Sequence, residues 1–80
     1  MARVSDISNA WGGPVVLASD ETWQARSGWV LVSTEANPDD DGAILLRAGA
    51  GDSYDFISGA SVRYKAIDGQ GIPHLVRMAR

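Results

Sequence analysis

Three stretches of this chain carry residue types at spacings that could do chemistry. The first is Asn37-Pro38-Asp39-Asp40-Asp41-Gly42, in which Asn37, Asp39 and Asp41 offer oxygen ligands at alternate positions before a glycine, the opening of a calcium loop. The pattern then breaks. The bidentate glutamate of such a loop falls on Ala48, and the residues after Gly42 read as a strand instead of an exiting helix. A solvated turn is the preferred reading; a weak calcium site completed by a neighbouring chain is the alternative. The second stretch, Ala48-Gly49-Ala50-Gly51-Asp52, has the small residues of a phosphate-cradling loop. It lacks both the third glycine of the dinucleotide fingerprint and a Gly-Lys-Ser/Thr, and no helix follows to hold an anion. The third is His74, the only histidine. No Gly-x-Ser-x-Gly elbow marks a serine for it to activate, and a lone histidine cannot make a multi-histidine metal site within one chain. The expectation is no catalytic residue, no metal site and no cofactor.

The elements around these groups follow from period-two alternation. In Ser53-Tyr54-Asp55-Phe56 the two aromatics share one face, and in Ser61 to Ala66 the residues Val62, Tyr64 and Ala66 face inward while Ser61, Arg63 and Lys65 face water. With Ile57-Ser58-Gly59-Ala60 between them, these strands read as a hairpin. Trp29 to Thr34 is the strongest strand of the amino-terminal half, with Trp29 and Leu31 on one face and Val30 and Val32 on the other. After the polar connection Glu35 to Gly42, Ala43 to Arg47 returns as a strand. Val15-Val16-Leu17 is a short apolar run. Ser19 to Gly28 has the punctuation of a short helix, but a turn and a strand through Thr22, Trp23 and Gln24 suits the β-rich surroundings better. The last strand is Ile72 to Met78, with Ile72, His74, Val76 and Met78 on one face and Leu75 on the other; Pro73 removes a backbone donor and belongs at an edge or at the first residues of the strand. The sum is an all-β fold, a small antiparallel β-sandwich or jelly-roll-like barrel of about seven to eight short strands with a turn roughly every ten residues. No connection has room for the crossover helix of a parallel sheet. Residues 15–80 form one domain, preceded by 1–14 as an amino-terminal arm or first strand.

Eighty residues bury a small core, which oligomerisation would enlarge. There is no cysteine to supply a disulfide or thiolate metal site, and the net charge of -3 opposes sequence-independent binding to nucleic acid. Apolar residues are interrupted every few positions, so no membrane span or signal-peptide core is expected, and the chain reads as made in the cytoplasm. Partner contact falls instead on Val4 and Ile7, the sizeable apolar residues of the first segment, on Trp11 beside Gly12-Gly13-Pro14, and on Pro73. Trp11 reads either as a lid on one end of the core or as a contact residue.

From Trp23 to Ala79 the chain resembles a class of very small β-sandwich virion proteins of tailed bacteriophages and related particles. The matching residues are Trp23, then Trp29 to Val32, then Gly51-Asp52-Ser53-Tyr54-Asp55-Phe56, then Val62-Arg63-Tyr64-Lys65-Ala66. The resemblance implies a non-enzymatic virion component, a capsid decoration (cement) protein or a head or tail fibre base. It would bind the major capsid protein or another virion structural protein and assemble as a homo-oligomer such as a trimer. On this view Ala2 to Trp11 dock on the capsid and are separable from the sandwich. The alternative is a small carbohydrate-binding or receptor-binding module that uses Trp11 or Trp23 to stack on a sugar.

Overall fold

The computed structural model describes residues 2–4 and 7–80. Eight strands run in chain order: β1 (Ala2–Val4), β2 (Gly12–Val16), β3 (Glu21–Ser27), β4 (Trp29–Ser33), β5 (Ile44–Arg47), β6 (Ser53–Phe56), β7 (Ser61–Ala66) and β8 (His74–Ala79). They form two four-stranded sheets ordered β1-β8-β3-β6 and β2-β7-β4-β5, and every pairing is antiparallel. That order is a jelly roll, in which the chain folds as one long hairpin wound into two layers. All-β architecture and sandwich are thus as the alternation implies, and three details depend on the topology.

First, β6 and β7 are not a hairpin. Each belongs to a different sheet, and Ile57 to Ala60 carries the chain from one layer to the other. Second, Ala2–Val4 is an edge strand of the first sheet. Ala2, Arg3 and Val4 pair with Arg77, Val76 and Leu75 of β8, Val4 is buried in the core, and β2 runs across the expected boundary at residue 14. Third, of the two places expected for Pro73, it stands at the start of the strand and not on an edge: it immediately precedes β8, which lies between β1 and β3.

The core is built from the inward half of each alternation. Leu17, Trp23, Val30, Val32, Leu46, Phe56, Val62 and Leu75 are all nearly or completely buried. The segment from Ser19 forms no helix because β3 pairs on both sides: Trp23 lies opposite Tyr54 on one flank and Arg77 on the other. Trp23 is the centre of this packing. Phe56 meets it edge-on with ring centroids 5.5 Å apart, and Tyr64 lies tilted at 6.5 Å from the opposite sheet. Gly12 makes room for Tyr64 in turn, because a Cβ there would stand 3.0 Å from the ring.

One polar group is buried with Trp23. Glu21 lies two residues away on the same face of β3, and its carboxylate accepts the indole N–H at 3.0 Å. Arg77 donates to both its oxygens, Nε at 2.8 Å and Nη2 at 2.9 Å, and the guanidinium carbon lies 5.5 Å from the Trp23 ring centre. The hydrogen bond from Arg77 is the main reason the Glu21 carboxyl titrates below the ordinary glutamate range, against the opposing effect of burial. A folded-state value below the unfolded one means stability that is present above the ordinary glutamate pKa and lost as pH falls through the depressed one. Unfolding midpoints in urea should therefore hold steady down to about pH 5 and decline through the acid range. Glu21→Gln should flatten part of that decline while lowering the neutral-pH plateau, and an unchanged acid profile would remove Glu21 from the account. Trp23→Ala should cost about 3–5 kcal/mol, enough to unfold many domains of this size.

Candidate protein-binding surfaces

Jelly-roll pairing sorts the connections between two ends of the sandwich. At one end lie the β2–β3 turn, the β4–β5 loop as it leaves Ser33, and the β6–β7 turn. The two turns are laced together: the Ser58 N–H donates to Asp20 Oδ1 at 2.8 Å, the Ser58 hydroxyl to the Ala18 carbonyl at 3.2 Å, and the Gly59 N–H to the Leu17 carbonyl at 2.8 Å. At the other end lie the β1–β2, β3–β4, β5–β6 and β7–β8 connections. There the Ala66 N–H donates to the Ser8 carbonyl at 2.8 Å, and Asn9 donates to Asp68.

The four sequence-derived contact residues do not form one face. Val4 is in the core, and Ile7, half-buried, packs against it. Trp11 and Pro73, both half-buried, belong to the second end. Gly28 lets the Pro73 segment approach: its φ is +68°, and a Cβ would stand 3.2 Å from Pro73 Cα. Trp23, offered as a sugar platform, is completely buried and cannot stack on a ligand.

The chemical motifs resolve into turns. Asp39 accepts the Gly42 N–H at 2.7 Å, closing its own turn, and both oxygens of Asp40 meet the Lys65 ammonium at 2.8 and 2.9 Å. Two of the three aspartates are thus committed to protein donors. Ala48-Gly49-Ala50 makes a single 3-10 turn ended by Gly51 at φ 70°, and Asp52 clasps it by accepting the Arg47 N–H at 3.1 Å and Nε at 3.0 Å. His74 is half-buried at the start of β8, opposite Ser27.

Two surface features were not read from the sequence. A groove of about 550 Å³ opens at the β6 edge, lined by Thr34, Tyr54, Phe56, Ile57, Ser58 and Ala60 among others; Tyr54 is 43% exposed there and Ile57 71%. The second is the outer face of the β2-β7-β4-β5 sheet. Trp29, Leu31, Leu45, Arg47, Arg63 and Lys65 share it, as the pairs Trp29↔Arg47, Leu31↔Leu45 and Leu31↔Lys65 require. The β4–β5 loop, residues 34–43, runs back along this face. It leaves at the first end, yet Asp40 lines a cleft with Asn9, Lys65, Ile67 and Asp68 toward the second. Leu31 is only 5% exposed although it points outward. The alternation of Arg63 and Lys65 with Val62 and Tyr64 gives the direction of the basic side chains; that Arg47 shares their face depends on topology.

No family model, curated protein or solved structure matches the chain.

One ion pair with an exposed carboxylate ties the acidic loop to the sheet as a strap, a contact worth about 0–1 kcal/mol. Asp40→Asn should therefore leave the thermal midpoint within a few degrees, on the order of 4 °C, while increasing the rate at which protease nicks residues 34–43. A strap as resistant as that of the parent chain would show that other contacts hold it.

Proposed function

We propose that the chain is a non-enzymatic structural protein of a virus particle. It acts as a capsid decoration (cement) protein or as the base of a head or tail fibre, made in the host cytoplasm and joined to the particle by protein–protein contacts. The observation that supports this best is a fully packed jelly roll of 80 residues with apolar side chains left outside it: Val16 is 64%, Ile57 71% and Ile72 80% exposed. Jelly rolls serve in capsids and lectins alike, and a fold does not by itself assign a task, so the exposed side chains weigh more than the topology. A small domain gains buried area by covering such residues with identical copies or with a shell protein. Assembly as a trimer or other homo-oligomer belongs to the same reading.

The test is protein chemistry on particles produced from the genome that encodes the chain. A component containing this sequence at high copy number, retained through density-gradient purification, is the expected result. Its absence from purified particles would falsify the virion assignment.

A saccharide-binding module is the second reading, and one observation favours it. Tyr54, half exposed, faces the groove at the β6 edge, where Thr34 and Ser58 supply hydroxyl groups. Aromatic faces flanked by hydroxyls suit a sugar ring. A glycan array with the parent chain and Tyr54→Ala separates the readings: a saccharide signal that disappears in the variant moves the assignment to this module, and a blank array retires it.

A further inference from the structure

We infer that the outer face of the β2-β7-β4-β5 sheet is a docking surface for an acidic, extended polypeptide segment of a partner, and that residues 34–43 occupy it in the free chain as an internal stand-in. The inference rests on reading the protein as a protein-binding module, and it names the face and the chemistry of what binds there.

Charge is the first observation. The chain carries a net charge of -3, yet the strands of this sheet contain Arg47, Arg63 and Lys65 and no aspartate or glutamate. All three cations project from the outer face, because Leu46, Val62, Tyr64 and Ala66 beside them in sequence are buried. Such segregation does not follow from folding, since exposed strand positions take either sign. Arg63 has no ion-pair partner among the described residues.

The strap is the second. Residues 34–43 carry Glu35, Asp39, Asp40 and Asp41 and no cation, and Asp40 places both carboxylate oxygens within 2.9 Å of the Lys65 ammonium. This contact marks where a partner's carboxylate would sit. Between the cations lie Leu31, Trp29 and Leu45, the last 36% exposed, so the surface offers apolar contact flanked by positive charge. That mixture suits a polypeptide with carboxylates around an apolar side chain. A nucleic acid would gain little from the leucines and would meet only three cations on a chain of net negative charge.

The charge contact of the strap is a weak one. Asp40 is 55% exposed in its pair with Lys65, and exposed pairs of this kind shift an equilibrium by at most about fivefold. A partner segment therefore competes with the strap for Lys65 and needs no rearrangement of the sandwich.

The experiment uses the full chain, isotopically labelled, and a synthetic peptide with the sequence of residues 34–43 as the probe. Amide shifts are followed in the parent, in Asp40→Asn and in Arg63→Glu; the dispersion of each spectrum checks folding. The expected result is shifts centred on Leu31, Leu45, Arg63 and Lys65, with binding about two- to fivefold tighter in Asp40→Asn, whose own strap competes less. Binding should be lost or weakened at least as much in Arg63→Glu, with Lys65→Glu as the second variant should Arg63→Glu not fold. Shifts elsewhere, equal affinity in the parent and Asp40→Asn, or undiminished binding in a folded charge-reversal variant would overturn the inference. So would a short oligothymidylate that binds this face as tightly as the peptide, which would make it a general anion patch. Failure here is distinct from failure of the virion assignment. A chain found in particles but silent to the peptide loses only this face, and one that docks the peptide but is missing from particles loses only the virion.

Discussion

The burial of Trp23 between the two sheets is the constraint on which the rest depends. An indole buries a large apolar surface but brings an N–H that needs an acceptor when water is excluded. Glu21 provides that acceptor from the same face of β3, and a carboxylate so placed then needs a cation. Arg77 supplies it from β8, fixing the register in which Trp23 lies opposite Arg77. Core packing, polar satisfaction and strand pairing thus constrain one another at a single position. The remaining apolar side chains, Phe56 and Tyr64 foremost, are arranged around that ring.

A domain this small has little interior to spare, and the distribution of its charges follows. Of the three ion pairs seen among the described residues, the interior one serves the tryptophan, whereas the other two lie at a turn and on the strap: Asp52 closes the turn after Arg47, and Asp40 ties the β4–β5 loop to Lys65. Edge strands are managed by brevity, with three residues in β1 and four each in β5 and β6, and by Pro14 on β2. What remains accessible is side-chain chemistry on the sheet faces and loop ends, and the proposed roles draw on that surface.

Most of the fold was legible because alternation is a local signal. Val62, Tyr64 and Ala66 face inward, and Val30 and Val32 point away from Trp29 and Leu31, as a period of two dictates. Partner strands were not legible. The short turn from Ile57 to Ala60 looks like a hairpin loop, and only packing around Trp23 sends its two strands to different layers. Val4 was misjudged for a related reason: a three-residue strand has too little sequence to announce itself, and pairing with β8 is what buries it. The candidate surface was partly visible. The basic side of β7 could be read directly, but its apolar centre and its strap join residues from three strands and a loop.

The pairings β1–β8, β2–β7, β3–β6 and β4–β5 are nested one inside the next. Nesting gives assembly a natural direction, because closing a longer stretch of chain costs more entropy and each inner pair shortens the stretch left for the next one outward. β4 and β5 are the closest partners along the chain, and the strap is the loop between them. The segment that screens the outer face of the finished protein is therefore also the bend about which the whole chain doubles back. Its length answers to two demands: long enough to reach Lys65, and short enough to bring the first pair of strands together.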